Sequence, residues 1–324
     1  MDLIAAEGIK KRFGQLTALR DISLRVRRGE LYGLIGPDGA GKTTFFRILT
    51  TLMPPDGGRA TVDGLDIAAD YRRIRAAVGY MPGRFSLYPD LTVKENLEFF
   101  ATLFGTRLED NYDLIRDIYV QIEPFRNRRA SRLSGGMKQK LALCCALIHR
   151  PRVLFLDEPT TGVDVVSRHE FWDMLSGLKR QGITMLVSTP YMDEAVRCDR
   201  IALIQSGRLL SIDTPRGIIE NYPDALFEVR AENMRQLTDE IRKLSSPKSC
   251  FAFGRSLHVS FSRDDPEARP HSRGLPPYRD STHHPQHRRL LYPTNEIVLT
   301  KKVGTLSFSL PPHVPGKERP SVMA

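Results

Sequence analysis

A glycine-rich loop followed by a lysine and a threonine carries the clearest chemical signal in the sequence. Gly36, Gly41, Lys42 and Thr43 keep the spacing Gly-x-x-x-x-Gly-Lys-Thr, directly after the apolar run Leu31–Ile35. Glycines allow successive backbone N–H groups to approach phosphate oxygens, and the N-terminus of a following helix attracts the same anion. The lysine adds a charge for the β- and γ-phosphates, and the threonine hydroxyl can ligate Mg²⁺. The predicted phosphate-binding residues are Gly36, Pro37, Asp38, Gly39, Ala40, Gly41, Lys42, Thr43 and Thr44.

An acidic pair at the end of a second apolar run supplies the next part of this chemistry. Residues 153–156, within RVLFLDEPTTGVD, are all apolar and predict a central strand of a parallel sheet. Asp157 is placed to hold Mg²⁺ together with Thr43, and Glu158 could orient or deprotonate an attacking water. An isolated acidic pair after a strand is more often a helix cap or loop surface. With the upstream loop, it predicts a nucleoside triphosphatase whose catalytic residue is Glu158.

A serine and two glycines form a third motif ahead of an amphipathic helix. Ser134, Gly135 and Gly136 stand near the start of LSGGMKQKLALCCALI. A helix N-terminus attracts anions, so this motif predicts a second anion-binding position. The same tripeptide is by itself a common helix cap.

The elements that must position these motifs follow an alternating pattern. Over residues 3–212, apolar strand-like runs alternate with helical patterns, which predicts βαβ units and a mainly parallel sheet. A helix-rich stretch at 87–148 opens with a capping-box pattern at Thr92 and Glu95. A second such pattern at 167–170 predicts another helix start.

Changes in pattern along the chain predict three regions. Residues 1–222 form the main α/β domain, with a helical lobe at about 87–148, and residues 223–262 form a small strand–helix–strand appendage. Residues 263–324 contain 10 of the 22 prolines, 5 of the 8 histidines and about +4 of the +10 net charge. That composition predicts an irregular or disordered tail, and an out-of-frame C-terminus would explain the same change.

Composition excludes several classes of protein. The four cysteines lack CxxC spacing, so we expect no zinc site, and Cys144 and Cys145 read as buried helix residues. The positive charge is not concentrated in a dense Lys/Arg block, so we expect no nucleic-acid partner. The N-terminus lacks a secretory pattern, and no apolar run approaches 18 residues, so we expect no membrane span.

Taken in order, the motifs resemble the ATP-binding subunit of ABC transporters over about residues 3–215. The resemblance rests on GPDGAGKTT, LSGGMKQK, VLFLDEPTTGVD and CDRIALIQSGRLL. LYPDLTVKENLEFF and YMDEAVRCDRIALI are most similar to the multidrug and ABC-2-type exporter subfamily.

The resemblance implies an α/β P-loop NTPase fold with a mainly parallel sheet, flanking helices, a small antiparallel β part and a helical lobe. It also implies a head-to-tail dimer in which each MgATP lies between one subunit's glycine-rich loop and the other's Ser-Gly-Gly motif. Phe13 would stack on adenine, Ser134 and Gly136 would reach the γ-phosphate across the interface, and Asp164 would link the two sites.

Two positions depart from the family pattern. Residues 183–188 predict a buried strand, and Pro190 follows it where the family has a switch histidine that contacts the γ-phosphate. Proline offers no side-chain donor or acceptor. Gly83 stands where the family usually has a glutamine that ligates or senses Mg²⁺.

Three interpretations of these departures stay open. A homodimer could hydrolyse ATP slowly, with Thr189 or Tyr191 as a partial substitute. The chain could pair with a different ATP-binding subunit, leaving one composite site degenerate. Alternatively, another geometry could sustain adequate hydrolysis.

The leading functional hypothesis is an energy-coupling subunit of an exporter. It requires a separate integral-membrane permease and a homodimer or heterodimer of ATPase subunits, placed peripherally on the cytoplasmic face of the cell membrane. The main alternative is a soluble ABC ATPase that acts on the ribosome or DNA. A P-loop kinase is a third hypothesis, which would leave LSGGMKQK as a simple helix cap.

Overall fold

The computed structural model describes residues 1–83, 86–221, 224–230, 249–253, 256–262 and 298–301. The chain divides into two compact units, 1–218 and 219–324, and each is described by itself.

The first unit is built from ten strands and the helices between them. The strands are β1 (Asp2–Phe13), β2 (Leu16–Arg27), β3 (Leu31–Ile35), β4 (Gly57–Val62), β5 (Leu65–Asp66), β6 (Val78–Met81), β7 (Val153–Asp157), β8 (Thr184–Thr189), β9 (Arg200–Gln205) and β10 (Arg208–Asp213). The α-helices up to the end of this unit are α1 (Lys42–Leu49), α2 (Tyr71–Ala77), α3 (Val93–Leu103), α4 (Tyr112–Tyr119), α5 (Gly135–Leu147), α6 (Val165–Arg180), α7 (Met192–Ala195) and α8 (Pro215–Glu220). Short 3₁₀ turns lie at Leu108–Asn111, Glu123–Phe125 and Ala130–Arg132.

The larger sheet is mainly parallel, as the sequence predicts. Its strand order is β10-β9-β3-β8-β7-β6, and only the β9–β10 pair is antiparallel. Every residue of β3, β7 and β8 is buried, which suits parallel strands covered on both faces. Because β8 lies between β3 and β7, the carboxyl ends of these three strands meet at one edge of the sheet.

A second, antiparallel sheet packs across helix α1 from the larger one. Its order is β2-β1-β4-β5. Side chains of both sheets and of α1 belong to one apolar core, in which the rings of Phe46 and Phe155 meet edge to face with centroids 6.1 Å apart. This core fixes α1, and with it the loop that precedes it, relative to β7.

The helical lobe holds α3, α4 and α5, and its first helix starts as predicted. Thr92 accepts a hydrogen bond from the Glu95 N–H at 3.2 Å, and the Glu95 carboxylate accepts one from the Thr92 N–H at 2.7 Å. The capping box at this position is therefore confirmed.

The predicted start of α6 at 167–170 is wrong by about one turn. Helix α6 begins at Val165, and its N-cap is Asp164, whose carboxylate accepts a hydrogen bond from the Ser167 N–H at 3.0 Å. Aspartate caps helices as well as serine does, so the earlier residue takes the position.

The second unit contains a four-stranded sheet of order β12-β13-β11-β14. Its strands are β11 (Asp224–Arg230), β12 (Ser249–Phe253), β13 (Ser256–Ser262) and β14 (Val298–Lys301). The first and third correspond to the two strands expected in the appendage, whereas the helix expected between them lies outside the described residues. Strand β14 comes from the segment that the sequence predicts to be irregular, and it pairs antiparallel with β11.

A buried asparagine holds the segment that enters the helical lobe. Asn96 is fully buried, accepts a hydrogen bond from the Tyr88 N–H, and donates to the carbonyls of Tyr88, Leu91 and Thr92 at 2.9–3.2 Å. These contacts fix the backbone from Tyr88 to Thr92, directly ahead of α3.

We expect Asn96→Ala to lower the free energy of unfolding by roughly 2–3 kcal/mol, because it leaves buried backbone groups without partners. The measurement is urea unfolding followed by the fluorescence of Trp172, the one tryptophan of the chain, which is buried on α6. Lys94→Ala on the same helix is the control, since its exposed ion pair with Glu98 contributes about 0–1 kcal/mol. Equal effects of the two substitutions would contradict this account of Asn96.

Candidate nucleotide-binding site

The loop between β3 and α1 is packed so closely that two of its positions require glycine. A Cβ at Gly36 would lie 2.1 Å from the Ile204 carbonyl oxygen, and one at Gly41 would lie 2.7 Å from that of Ala18. Gly41 also has φ of 107°, in the left-handed region that side chains disfavour. The Gly36 N–H donates to the Thr189 carbonyl at 3.3 Å, which ties the loop to the end of β8.

Helix α1 presents an N-terminus that no side chain caps. Its N-cap residue is Gly41, which has no side chain to offer. The first N–H groups of a helix lack intrahelical acceptors and carry a partial positive charge. The backbone at Lys42, Thr43 and Thr44 therefore suits a bound polyanion.

Lys42 folds its side chain back into the same loop. Its ammonium group donates to the carbonyls of Gly36 at 2.7 Å and Pro37 at 2.9 Å, and it lies 3.0 Å from Oε1 of Glu158. The lysine is only 3% exposed. A buried ammonium group thus lies against the loop and contacts two carbonyls and one carboxylate.

Asp157 is buried at the end of β7 beside two hydroxyl groups. The Ser188 hydroxyl donates to its Oδ1 at 2.6 Å, and the Thr43 hydroxyl is hydrogen-bonded to the same carboxylate. Burial raises the pKa of Asp157, and these two hydrogen bonds oppose that shift. Thr43 and Asp157, the two predicted metal ligands, are therefore adjacent.

The donor atoms present fit Mg²⁺ better than a soft metal. Thr43 and Asp157 offer hard oxygens, and Mg²⁺ commonly binds through one or two protein oxygens plus water and phosphate. Among the described residues there is no cluster of three or more His, Cys, Asp or Glu side chains able to hold a metal alone.

Glu158 adopts a backbone conformation that is rare for glutamate. Its φ is 52°, and its N–H donates to the Ser188 hydroxyl at 3.0 Å and the Ser188 carbonyl at 3.1 Å. Such a conformation persists only where surrounding contacts impose it, and it clusters at functional sites. These contacts direct the Glu158 side chain toward Lys42.

Ser188 is a site residue that the sequence did not reveal. It pairs with Asp157 across β7 and β8, and it binds both acidic residues. A serine after the apolar residues 185–187, near the end of β8, was the available signal. It could be interpreted only once β8 was known to lie beside β7.

Both departures from the family pattern lie at this edge of the sheet. Gly83 is packed against the turn after β7, where an added Cβ would lie 2.9 Å from the Asp157 carbonyl oxygen. Pro190 directly follows β8, whose last residue, Thr189, pairs with Ile35 at the start of the loop. Neither position offers a side-chain donor.

Phe13 ends β1 in a tight hairpin of the smaller sheet. Its side chain is 45% exposed, so it does not belong to the apolar core. The hairpin pairs Phe13 with Leu16, and Ala18, two residues further along β2, lies against Gly41. An exposed aromatic ring is compatible with stacking on a base.

Ser134 and Asp164 form a separate group around the first turns of α5 and α6. Ser134 caps α5 by accepting from the Met137 N–H at 3.3 Å, and it is exposed together with Gly135. Gly136 is buried, and a Cβ there would lie 2.6 Å from the Ser167 hydroxyl. The contacts of this group run between the two helix starts, whereas those of Lys42 run to its own loop and to Glu158.

The burial of Asp157 has a consequence for stability. Because its pKa is raised in the folded state, the folded chain holds this proton more tightly than the unfolded chain. Stability from this group therefore increases as pH falls through the raised pKa. Without nucleotide or divalent cation, we expect Asp157→Asn to have a larger free energy of unfolding than the native chain at pH 8. This difference should narrow as the pH falls toward the raised pKa of Asp157.

Urea unfolding across this pH range checks that expectation, with Asp164→Asn as the control. The backbone N–H of Ser167 lowers the pKa of Asp164, so this group's contribution is lost as pH falls. The opposite result is a difference in free energy of unfolding between Asp157→Asn and the native chain that widens on acidification. That result would contradict the assignment of Asp157 as a buried carboxylate.

Comparison with known proteins identifies the family. A family model described as ABC transporter matches residues 19–161. The chain is 37% identical to the probable multidrug ABC transporter ATP-binding protein YbhF of Escherichia coli (strain K12) over 85% of this chain and 49% of that protein. It thus spans about half the length of that relative.

A second relative is covered more fully. The chain is 38% identical to the Nod factor export ATP-binding protein I of Burkholderia lata over 72% of this chain and 78% of that protein. Among solved structures, the dimeric post-hydrolysis state of the ATP-binding cassette MJ0796 bound to ADP and Pi superposes with a TM-score of 0.60. That match has 25% identity and covers 66% of this chain and 99% of the cassette. The chain therefore belongs to the ABC transporter ATP-binding proteins and carries their ABC ATPase domain.

Proposed function

We propose that this chain binds and hydrolyses MgATP to power an exporter of the multidrug or ABC-2 type. The observation that carries the proposal is the convergence of Lys42, Asp157 and Glu158 at one sheet edge, beside an uncapped helix N-terminus. A lysine, a magnesium ligand and a catalytic carboxylate are the parts that phosphoryl transfer to water needs.

Each site residue has one task in this proposal. The backbone of the loop after β3 and Lys42 bind the β- and γ-phosphates, and Phe13 stacks on adenine. Thr43 and Asp157 hold Mg²⁺, which neutralises phosphate charge when bound. Glu158 orients the attacking water and accepts its proton. Its ion pair with Lys42 at 3.0 Å holds the carboxylate beside the loop until phosphate oxygens compete for the lysine.

The exposed Ser134 segment supports a dimer in which two chains share each nucleotide. Ser134 and Gly135 are exposed at an α5 N-terminus, and Val165 and Val166, just after Asp164, are 64% and 68% exposed. An anion-binding helix end beside exposed apolar side chains suits an interface closed by ATP. The cassette MJ0796, similar in fold, is dimeric.

The contacts of Thr189 and Tyr191 weigh against their acting as substitutes for a switch histidine. The Thr189 hydroxyl is fully buried, donates to Glu194 at 2.5 Å and accepts from the Tyr191 N–H at 3.0 Å. The Tyr191 ring packs against the Arg168 guanidinium, 4.1 Å from its centroid. Two interpretations of Pro190 remain: a degenerate site within a heterodimer, or hydrolysis through another geometry.

A separate permease is part of the proposal. Within the part of the chain that the structure describes, no helix has the length and hydropathy needed to cross a membrane. A groove between the sheet edge and the helical lobe is lined by apolar side chains, among them Met81, Leu87, Phe100, Phe104 and Ala142. Tyr88, Phe99 and Leu103 are exposed on the same lobe.

An amphipathic cytoplasmic helix of the permease suits this groove. Such helices bury an apolar face between the walls of a groove, and exposed aromatic residues add contact area. The rings of Tyr88 and Phe99 already pack edge to face with centroids 4.6 Å apart. The relatives named for multidrug transport and Nod factor export support an exporter as the complex that this chain serves.

Affinity purification of the tagged chain from detergent-solubilised membranes tests the proposal. We expect an integral-membrane protein to co-purify and to stimulate ATP hydrolysis, and Phe99→Asp to reduce its recovery without changing ATP affinity. Recovery of ribosomes or DNA in place of a membrane protein would contradict the exporter and favour the soluble ATPase.

Restoring a histidine after β8 should raise turnover. We expect Pro190→His to increase kcat by about 10-fold or more, because a single transition-state contact is worth about 10²–10³ in rate. Pro54→His, in the exposed loop between α1 and β4, is the matched control. Unchanged turnover with intact MgATP binding would show that Pro190 is not a lost catalytic contact.

A glutamine at position 83 should not raise kcat as directly as a histidine at position 190. A Cβ there would lie 2.9 Å from the Asp157 carbonyl oxygen, so any side chain must displace the turn that carries the magnesium ligand. We expect Gly83→Ala to lower kcat. We expect kcat of Gly83→Gln to be higher than that of Gly83→Ala, because the glutamine amide restores a polar contact that alanine lacks. Turnover of Gly83→Ala equal to that of the native chain would contradict the steric argument.

A further inference from the structure

Glu194 is a buried carboxylate outside the motifs that bind nucleotide. It lies on the short helix α7 and is 4% exposed. Its Oε1 accepts from the Thr160 hydroxyl at 2.7 Å and from the Arg168 guanidinium at 3.0 and 3.1 Å. Its Oε2 accepts from the Thr189 hydroxyl at 2.5 Å. A buried carboxylate is tolerated only when its oxygens are satisfied in this way.

The three partners of Glu194 come from three different parts of the candidate site. Thr160 lies two residues after Glu158 in the turn that follows β7. Arg168 lies in the first turn of α6, where its N–H donates to the Asp164 carbonyl at 2.9 Å. Thr189 ends β8, and its carbonyl accepts from the Gly36 N–H of the phosphate loop. One carboxylate therefore links the catalytic turn, the start of α6 and the end of β8.

The same contacts enclose Pro190. The residue before a proline is restricted to extended backbone, so Thr189 stays in register with Ile35. After the proline, the Tyr191 N–H donates to the Thr189 hydroxyl, and the Tyr191 ring packs against Arg168. The backbone on both sides of Pro190 is held by groups that Glu194 binds.

We propose that Glu194 is a positioning residue for ATP hydrolysis: it fixes the loop around Pro190 against the phosphate loop and the catalytic turn. The inference rests on the proposed function. Glu194 touches no nucleotide and acts through Thr189, Thr160 and Arg168. In a site without a switch histidine, this carboxylate keeps the end of β8 in place.

Glu194→Gln is the central variant, because it keeps the shape and removes the charge. We expect kcat to fall about 10–100-fold, as for other residues that orient a catalytic group, while the Kd for a fluorescent ATP analogue changes less than about threefold. Asp193→Asn is the matched control. It lies on the same helix and pairs with Arg168 at 3.2 Å, but it is 73% exposed, so we expect kcat within about twofold of the native value.

A second pair of variants keeps the test decisive should Glu194→Gln fold poorly. Thr189→Val removes the hydroxyl at similar volume, and Thr189→Ser retains it. We expect Thr189→Val to reproduce the loss of kcat, and Thr189→Ser to remain near the native value. Adding Thr189→Val to Glu194→Gln should lower kcat little further, because both variants disrupt the same contact, the one between the Thr189 hydroxyl and Glu194.

Amide hydrogen exchange separates this inference from the proposed function. We expect Glu194→Gln to speed hydrogen exchange of the Tyr191 and Gly36 amides by about 10-fold, which is the effect of losing about one hydrogen bond. Exchange rates in the helical lobe should not change. If exchange at these amides becomes faster but the chain does not hydrolyse ATP, the proposed function is overturned and the positioning assignment is not. Unchanged exchange at both amides, or a fall in kcat matched by equal losses of nucleotide affinity and thermal stability, would overturn the positioning assignment.

Discussion

The parallel pairing of β8 with β3 on one side and β7 on the other is the constraint on which the rest of the site depends. It places Thr189 beside Ile35 and Ser188 beside Asp157. Through these pairs, the phosphate loop, the acidic turn and the segment around Pro190 share one sheet edge. A shift of β8 by one residue would turn Ser188 away from Asp157 and separate the three parts.

Four buried or half-buried ionisable side chains, Lys42, Asp157, Glu158 and Glu194, lie around this edge, and each has polar partners. Lys42 is shared by two carbonyls and Glu158, while Asp157 and Glu194 accept hydrogen bonds from hydroxyl groups. Burying such groups costs stability even when they are paired, and burial raises the pKa of Asp157. The site thus retains charge that an apolar core would exclude, which is typical of residues kept for chemistry.

The sequence predicted the parts of the site that are local. The loop at Gly36, the acidic pair after β7 and the capping box at Thr92 each depend on neighbours within a few residues. Ser188 and Glu194 escaped prediction because two of their partners, Asp157 and Thr160, lie 31 and 34 residues away in the chain. The start of α6 was misplaced for a local reason, since aspartate and serine compete for the same cap. The roles of Phe13, Ser134 and Asp164 stay predictions, because they require a bound nucleotide and a second subunit.

The central claim is that the loop after β3 and Lys42 form a triphosphate site, and calorimetric titration tests it most directly. Titration of MgATP, MgADP and AMP into the native chain and into Lys42→Met gives the affinity of each. The account predicts a Kd for MgATP between about 1 μM and 1 mM, weaker binding of AMP, and a loss of roughly 10–100-fold in Lys42→Met. Equal affinity for MgATP and AMP, or an MgATP affinity that Lys42→Met leaves unchanged, would contradict it.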